Sequence, residues 1–335
     1  MSGADLLHRL TAAALGEDRT REVLSLLEID SRLSGDGEIA SRAQVAMALN
    51  AALYADLLDR VPSAARYAAD VRAKGARITF DHGALRTIDG PTGALPPAAL
   101  AFSRILEPLG YEMAGVYPLP RLHMTGRAFA HRDMPESIPQ FFVSELHVAE
   151  LPPAARDAAL RIFGQSRDPL DAFVRDALTL LARDGACAAE IADAALPGLV
   201  RAFGCHHDVP RLDDYETLRE TSQEAAWIAT EGNAFNHGTD RVDDVTALAE
   251  RLTREGFPMK PTVEHSANGH IHQTAFLADK ATRRFLLPDG RSIQRDVPGS
   301  FYEFITRDRD PVTGGIDLTF DSGNATGIFA VTRTP

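Results

Sequence analysis

Two cysteines in 335 residues, Cys187 and Cys205, are too few for a disulfide framework and suit a reducing cytosol. No stretch approaches the roughly 18 uninterrupted apolar residues of a membrane-spanning helix. The start, MSGADLLHRL, lacks the basic end and apolar run of a signal peptide. Positive charge is also short. With 35 Lys and Arg against 47 Asp and Glu, the net charge of −12 argues against a nucleic-acid backbone as partner. It leaves room for an anionic small molecule, because one buried arginine can define such a pocket. No Walker, dinucleotide or GxSxG signature is present, and Gly314-Gly315 reads as a turn. What remains, 44% apolar and 24% charged, is an acidic, globular, cytoplasmic protein with length enough for a generous core.

What is present is a phrase spelled twice, Phe80-Asp81-His82-Gly83 and Phe235-Asn236-His237-Gly238. Each copy opens a similar train of elements ending in an aromatic-flanked strand that carries a glutamate, Glu145 in the first and Glu303 in the second. The steps from histidine to glutamate are nearly equal. A duplicated module brings equivalent positions face to face, and two histidines meeting a carboxylate at such a seam make a metal site.

Residues 1–75 read as helical, with apolar positions recurring at three and four. From 76 to 149 the pattern is strand, helix, then strands near 112–118, 122–131 and 139–148, with Gly110 stopping the helix. Residues 150–225 are alanine- and leucine-rich and helical in period, an insertion. From 226 to 335 a second module follows. Thr239 or Asp240 is placed to cap its helix, and strands are expected near 259–264, 270–279, 282–287 and 299–307. The fold class is α+β: two paired βαβββ modules with N-terminal helices and a central helical insertion.

His82 and His237 suit a first-row divalent cation, since a neutral imidazole is a good ligand when its second nitrogen is held. Against a structural role stands the repetition, because neither packing nor a turn requires histidine twice. Glu303 lies in SFYEFITR, where a carboxylate is expensive to bury unless paired or metal-bound. The competing reading is an outward-facing residue on an edge strand. Two histidines and one carboxylate leave open positions on non-haem Fe(II); the same ligand types suit Mn(II), Co(II) or a zinc hydrolase site. Glu145 is expected to support the site from behind or to be structural. Arg86, four residues past His82, shares its strand face and suits bidentate recognition of a carboxylate; a solvated strand arginine fits equally well. Cys205-His206-His207-Asp208 carries little weight as a metal cluster. His270 and His272 share a strand face and are candidates to approach the pocket, with Gln273 alternating as a hydrogen-bond donor.

FDHGALRT, FVSEL, NAFNHGTDRV, QTAF, FYEFITR and GNATGIF together resemble the 2-oxoadipate dioxygenase/decarboxylase (hydroxyglutarate synthase) family of the vicinal oxygen chelate superfamily. The resemblance runs from about residue 76 to the end. It implies Fe(II) held by His82, His237 and Glu303, a substrate arginine at Arg86, and substrate contact through Gly323, Asn324 and Ala325. The implied reaction is oxygenative decarboxylation of a 2-oxo acid, 2-oxoadipate and O2 giving (R)-2-hydroxyglutarate and CO2, as in lysine catabolism. The alternatives are a ring-cleaving dioxygenase or isomerase on the same scaffold, or a non-catalytic binder of a small molecule.

Overall fold

The computed structural model describes residues 5–309 and 314–321. Within them the chain is mixed α+β, with eleven α-helices and an eight-stranded central sheet. Helices α1 (Leu6–Leu15), α2 (Glu17–Leu26), α3 (Arg42–Arg60) and α4 (Pro62–Ala73) come first, with the short strand β1 (Ile39–Ser41) among them. A capping box, Ser41 with Gln44, starts α3, and nearly every residue of its middle turns is buried. Next come β2 (Phe80–Asp89), α5 (Leu100–Leu106), β3 (Tyr111–Leu119), β4 (Met124–His131) and β5 (Gln140–His147). Five helices follow, α6 (Pro153–Phe163), α7 (Ala172–Asp184), α8 (Ala189–Arg201), α9 (Leu212–Thr221) and α10 (Gln223–Glu231), with β6 (Ala186–Ala188) between α7 and α8. Strand β6 pairs with β1, and α8 packs on α1 and α3, so this stretch shares a core with the N-terminal helices.

The last part holds β7 (Phe235–Arg241), α11 (Val245–Arg254), β8 (Glu264–His265), β9 (Ile271–Ala275), β10 (Lys280–Leu286), β11 (Ser292–Pro298) and β12 (Phe301–Arg307). The cap of α11 is Asp244, whose side chain accepts from Ala247 N at 2.9 Å; the expected caps, Thr239 and Asp240, are strand residues of β7 instead. Strand β11 was not expected. Its charged sequence SIQRDVP buries one residue, and it closes a hairpin with β10 outside the main sheet.

The main sheet runs β3-β4-β5-β2-β7-β12-β9-β8. Strands β2 and β7, which carry the repeated phrase, are its antiparallel centre. Each has a parallel outer neighbour, β5 beside β2 and β12 beside β7, followed by antiparallel strands. One face of the centre is covered by α3 and α4. Tyr54 meets Tyr302 hydroxyl to hydroxyl at 2.7 Å, and Tyr67 packs edge-on against Phe304 at 4.9 Å. The aromatic residues flanking Glu303 therefore serve the helix layer, and strand alternation turns Glu303 to the opposite face. No helix among the described residues is long and apolar enough to cross a membrane.

Candidate metal centre

The register between β2 and β7 explains each letter of the repeated phrase. Gly83 lies opposite Gly238, His82 opposite Thr239 and Ala84 opposite His237, a local two-fold arrangement. Asp81 on one strand and Asn236 on the other are extra residues, bulged out of the ladder at matching places. A bulge lets the residue beside each histidine reach that histidine's ring, which regular alternation forbids. Asp81 Oδ1 is 2.8 Å from His82 Nδ1, and Asn236 Oδ1 is 3.3 Å from His237 Nδ1. The glycines are sites of close approach: a Cβ on Gly83 would lie 2.2 Å from the Phe235 ring, and one on Gly238 2.6 Å from Leu57.

On the open face the side chains converge. One ligand atom each from His82, His237 and Glu303 lies within 4.8 Å of the others, all three residues being buried, and this is the only such cluster of three or more among the described residues. His82 Nε2 is 3.7 Å from Glu303 Oε1, and His237 Nε2 is 3.8 Å from Glu303 Oε2. Strand β12 is interior, so the edge-strand reading of Glu303 falls. His237 stacks on Phe301 at 4.6 Å.

The electrostatics suit a cation. Burial pushes the Glu303 carboxyl up to about 8, partly offset by the Thr239 hydroxyl. Burial, then the His82 and Arg86 charges, holds His237 well below the usual imidazole range, and burial lowers His82 against the opposing pull of Asp81. Both rings are thus neutral donors. Glu303 Oε2 is a buried oxygen without a hydrogen-bond partner, the kind of atom a bound cation satisfies. Two neutral imidazoles and one carboxylate fit a first-row divalent metal.

Behind His82 stands a residue that the sequence reading missed. Arg307, at the end of β12, is fully buried and grips Asp81 through three contacts of 2.9–3.1 Å. Burial works to raise the Asp81 carboxyl, but the Arg307 charge and His82 hold it well below the usual carboxylate range. Arg307 also donates to the carbonyls of Asp317 (2.9 Å) and Thr319 (2.7 Å), anchoring the 314–321 segment over the site. There Phe320 lies 4.9 Å from the His82 ring and 4.8 Å from Phe142.

Arg86 lines the same cavity, a space of about 480 Å³ counting its mouth, together with Phe142, Ser144, Gln273, Phe320 and Asp321. It is 1% exposed, lies 5.0 Å from the Trp227 ring, and burial lowers its guanidinium to about 10 against the pull of Glu224. The repeat is longer than the phrase: Arg241 stands in the second copy where Arg86 stands in the first, FxHGxxR in both. Arg241 turns to support, 3.7 Å from Asp81 and bonded to Glu136 O.

Other expectations sort plainly. Glu145 is not the counterpart of Glu303; the matching register position on β5 is Phe142, three residues earlier. Glu145 is structural, accepting from Ala99 N at 2.7 Å at the start of α5 and pairing with Arg127 at 2.9 Å. His270 and His272 do not line the cavity, whereas Gln273 does. His272 meets His265 at 2.6 Å on the exposed side. Cys205, His206, His207 and Asp208 form no cluster of three ligands: Cys205 Sγ contacts His207 Nε2 at 3.4 Å, but both imidazoles also bond to backbone carbonyls and Asp208 pairs with Arg167. Gly323, Asn324 and Ala325 lie outside the described residues.

Residues 46–309 match the family model for 2-oxoadipate dioxygenase/decarboxylase. The chain belongs to that family. It is 27% identical over 225 residues to the 2-oxoadipate dioxygenase/decarboxylase of Mycobacterium tuberculosis (strain ATCC 25618 / H37Rv), a match covering 64% of this chain. It spans about half, 54%, of that relative's length. Among solved structures it is similar to a protein assigned to the glyoxalase superfamily from Ralstonia eutropha JMP134, with 51% identity and a TM-score of 0.90 over 94% of this chain and 98% of that one. It also shares the fold of the hydroxyglutarate synthase from Oryza sativa solved with 2-oxoadipate, with 21% identity and a TM-score of 0.66 over 87% of this chain and 93% of that one.

Proposed function

We propose that this protein is an Fe(II)-dependent dioxygenase/decarboxylase that converts a 2-oxo dicarboxylic acid, 2-oxoadipate foremost, and O2 into a 2-hydroxy acid, (R)-2-hydroxyglutarate, and CO2. The observation that carries the reading is the convergence of His82, His237 and Glu303 in a cavity that Arg86 also lines, in a chain of this family. The strand order supports reading the two halves of the sheet as paired βαβββ modules of the vicinal oxygen chelate kind. The unpaired cysteines agree with a cytoplasmic setting.

His82, His237 and Glu303 would hold the iron. Bound there, Fe(II) would supply the one-electron steps that O2 chemistry requires. The reaction balances: both atoms of O2 enter the products, the C1 carboxylate leaves as CO2, and the shortened acid gains a hydroxyl. Asp81, fixed by Arg307, keeps the His82 proton on Nδ1 and leaves Nε2 for the cation. Arg86 pairs with a substrate carboxylate and so sets which carbon faces the metal. Phe142 and Phe320 exclude water from the reacting end, while Ser144 and Gln273 offer hydrogen bonds to substrate oxygens.

The test is anaerobic reconstitution with Fe(II), then O2 and a panel of 2-oxo acids, with gas balance and product masses. One CO2 per O2 and an acid one carbon shorter are expected, with His82→Ala inactive and Arg86→Ala impaired on 2-oxo acids. Oxygen uptake without matching CO2 would sink the proposal. The similarity to a glyoxalase-superfamily protein favours a second reading, a metal-dependent isomerase on the same ligands. A product of unchanged carbon count formed without O2 would select it.

A further inference from the structure

One more side chain reaches between the three candidate ligands. Thr239 is fully buried on β7, and its hydroxyl lies 3.1 Å from His82 Nε2 and 3.1 Å from Glu303 Oε1. Across the local two-fold at Gly83 and Gly238, the matching position is Ala84. The hydroxyl therefore belongs to one half of the sheet alone, the half that also supplies the carboxylate.

A hydroxyl has a single proton to give. Here it faces two acceptors, because Asp81 at 2.8 Å fixes the His82 proton on Nδ1 and leaves Nε2 as a lone pair. A cation at the site takes that lone pair. The Thr239 proton then has one acceptor left, Glu303 Oε1. Both carboxylate oxygens lie near an imidazole, Oε1 3.7 Å from His82 Nε2 and Oε2 3.8 Å from His237 Nε2, but only Oε2 is buried without a hydrogen-bond partner.

We propose that Thr239 is a positioning residue that occupies Oε1 and so makes Glu303 a one-oxygen ligand through Oε2. The proposal rests on the metal-dependent reading above. Its consequence is a matter of counting. Two imidazoles and a two-oxygen carboxylate fill four positions of a six-coordinate ion; a chelating 2-oxo acid fills the rest, and none remains for O2. With one carboxylate oxygen, a position stays open after the 2-oxo acid has bound.

The test counts those positions directly. Metal-free protein is loaded with Mn(II), an octahedral ion, and water-proton relaxation reports how many exchangeable waters the bound ion carries. The wild type is compared with Thr239→Ala, which copies the residue at the matching position, and with Thr239→Ser, which keeps the hydroxyl. About three waters are expected for the wild type and Thr239→Ser, and about two for Thr239→Ala. Two waters in the wild type, three in Thr239→Ala, or failure of Thr239→Ser to restore the third each overturn the proposal. If the wild type binds Mn(II) no better than His82→Ala does, the metal-dependent reading itself falls and takes this inference with it.

Discussion

In the half of the sheet formed by β2 and β5, the position across from Ala84 holds Phe142; in the half formed by β7 and β12, the matching position across from Thr239 holds Glu303. The bulged residue that holds the histidine is the anionic Asp81 in the first half and the neutral Asn236 in the second. Arg241 has Asp81 as its neighbour across the seam; the corresponding place beside His237, toward which Arg86 is carried, is Asn236. What the halves share gives convergence: two neutral imidazoles meeting over a glycine pair. What they do not share gives the site its polarity, with one carboxylate between the two imidazoles, another bonded to the back of the His82 ring, and an arginine lining the cavity.

The sharpest way to break this comparison is to make the two bulges alike. Asp81→Asn leaves Arg307 buried beside a neutral amide, and removing one partner of a buried pair costs about 3–5 kcal/mol. It should also weaken metal affinity about 10- to 100-fold, since His82 loses the carboxylate that fixes its tautomer. Asn236→Ala in the other half should cost far less, because only a 3.3 Å contact to a neutral ring is lost. Denaturant unfolding and Mn(II) titration of both variants measure the difference. Equal losses would mean that the Asp81–Arg307 pair has no special role.

A smaller effect is expected at the glycine pair. An added Cβ at Gly83 meets the Phe235 ring at 2.2 Å, while at Gly238 it meets the mobile end of Leu57 at 2.6 Å and Phe80 at 3.3 Å. A ring wedged among Phe80 and Phe141 yields less readily than a leucine methyl. Gly83→Ala should therefore destabilise the fold by about 1–3 kcal/mol, and Gly238→Ala by less than that. Thermal unfolding of the two variants ranks them, and the reverse order would show that the local two-fold is not limited by the aromatic packing.

The convergence of His82, His237 and Glu303 was legible in the sequence because the repeat and the apolar strand are local features, and burial of Glu303 follows from aromatic neighbours that face the helices. The rest depends on register. Glu145 was matched to Glu303 by nearly equal spacing, but spacing along the chain does not see the β10–β11 hairpin that lengthens the second half. The bulges at Asp81 and Asn236 break the alternation on which sequence reasoning relies, so their contacts with the histidines were invisible. Arg307 reads as a solvated strand end; what buries it is the 314–321 segment returning from beyond β12. Arg241 had a signal that was passed over, the shared FxHGxxR spelling.

A further predicted effect concerns protons, and it separates the two carboxylates. Asp81 is held ionised by Arg307, whereas burial keeps the Glu303 carboxyl protonated up to about 8. A cation must displace that proton, and neither neutral imidazole contributes another. Mn(II) affinity should rise about tenfold per pH unit from 6 to 8 and then level off, with one proton released per ion. The metal-free protein should show the opposite trend. An unfolded chain ionises this carboxyl near its ordinary value, so between that value and about 8 the folded state holds the extra proton and stability falls as pH rises. Asp240, raised by burial to about 7, adds to that fall over the lower part of the range. Metal binding cancels only the Glu303 share, because it leaves Glu303 ionised in both states. Calorimetric titration in buffers of different ionisation enthalpy counts the released protons. Two protons per ion would mean that a second group, His82 or Asp81, is protonated in the metal-free site, and the contrast between the two carboxylates would then fail.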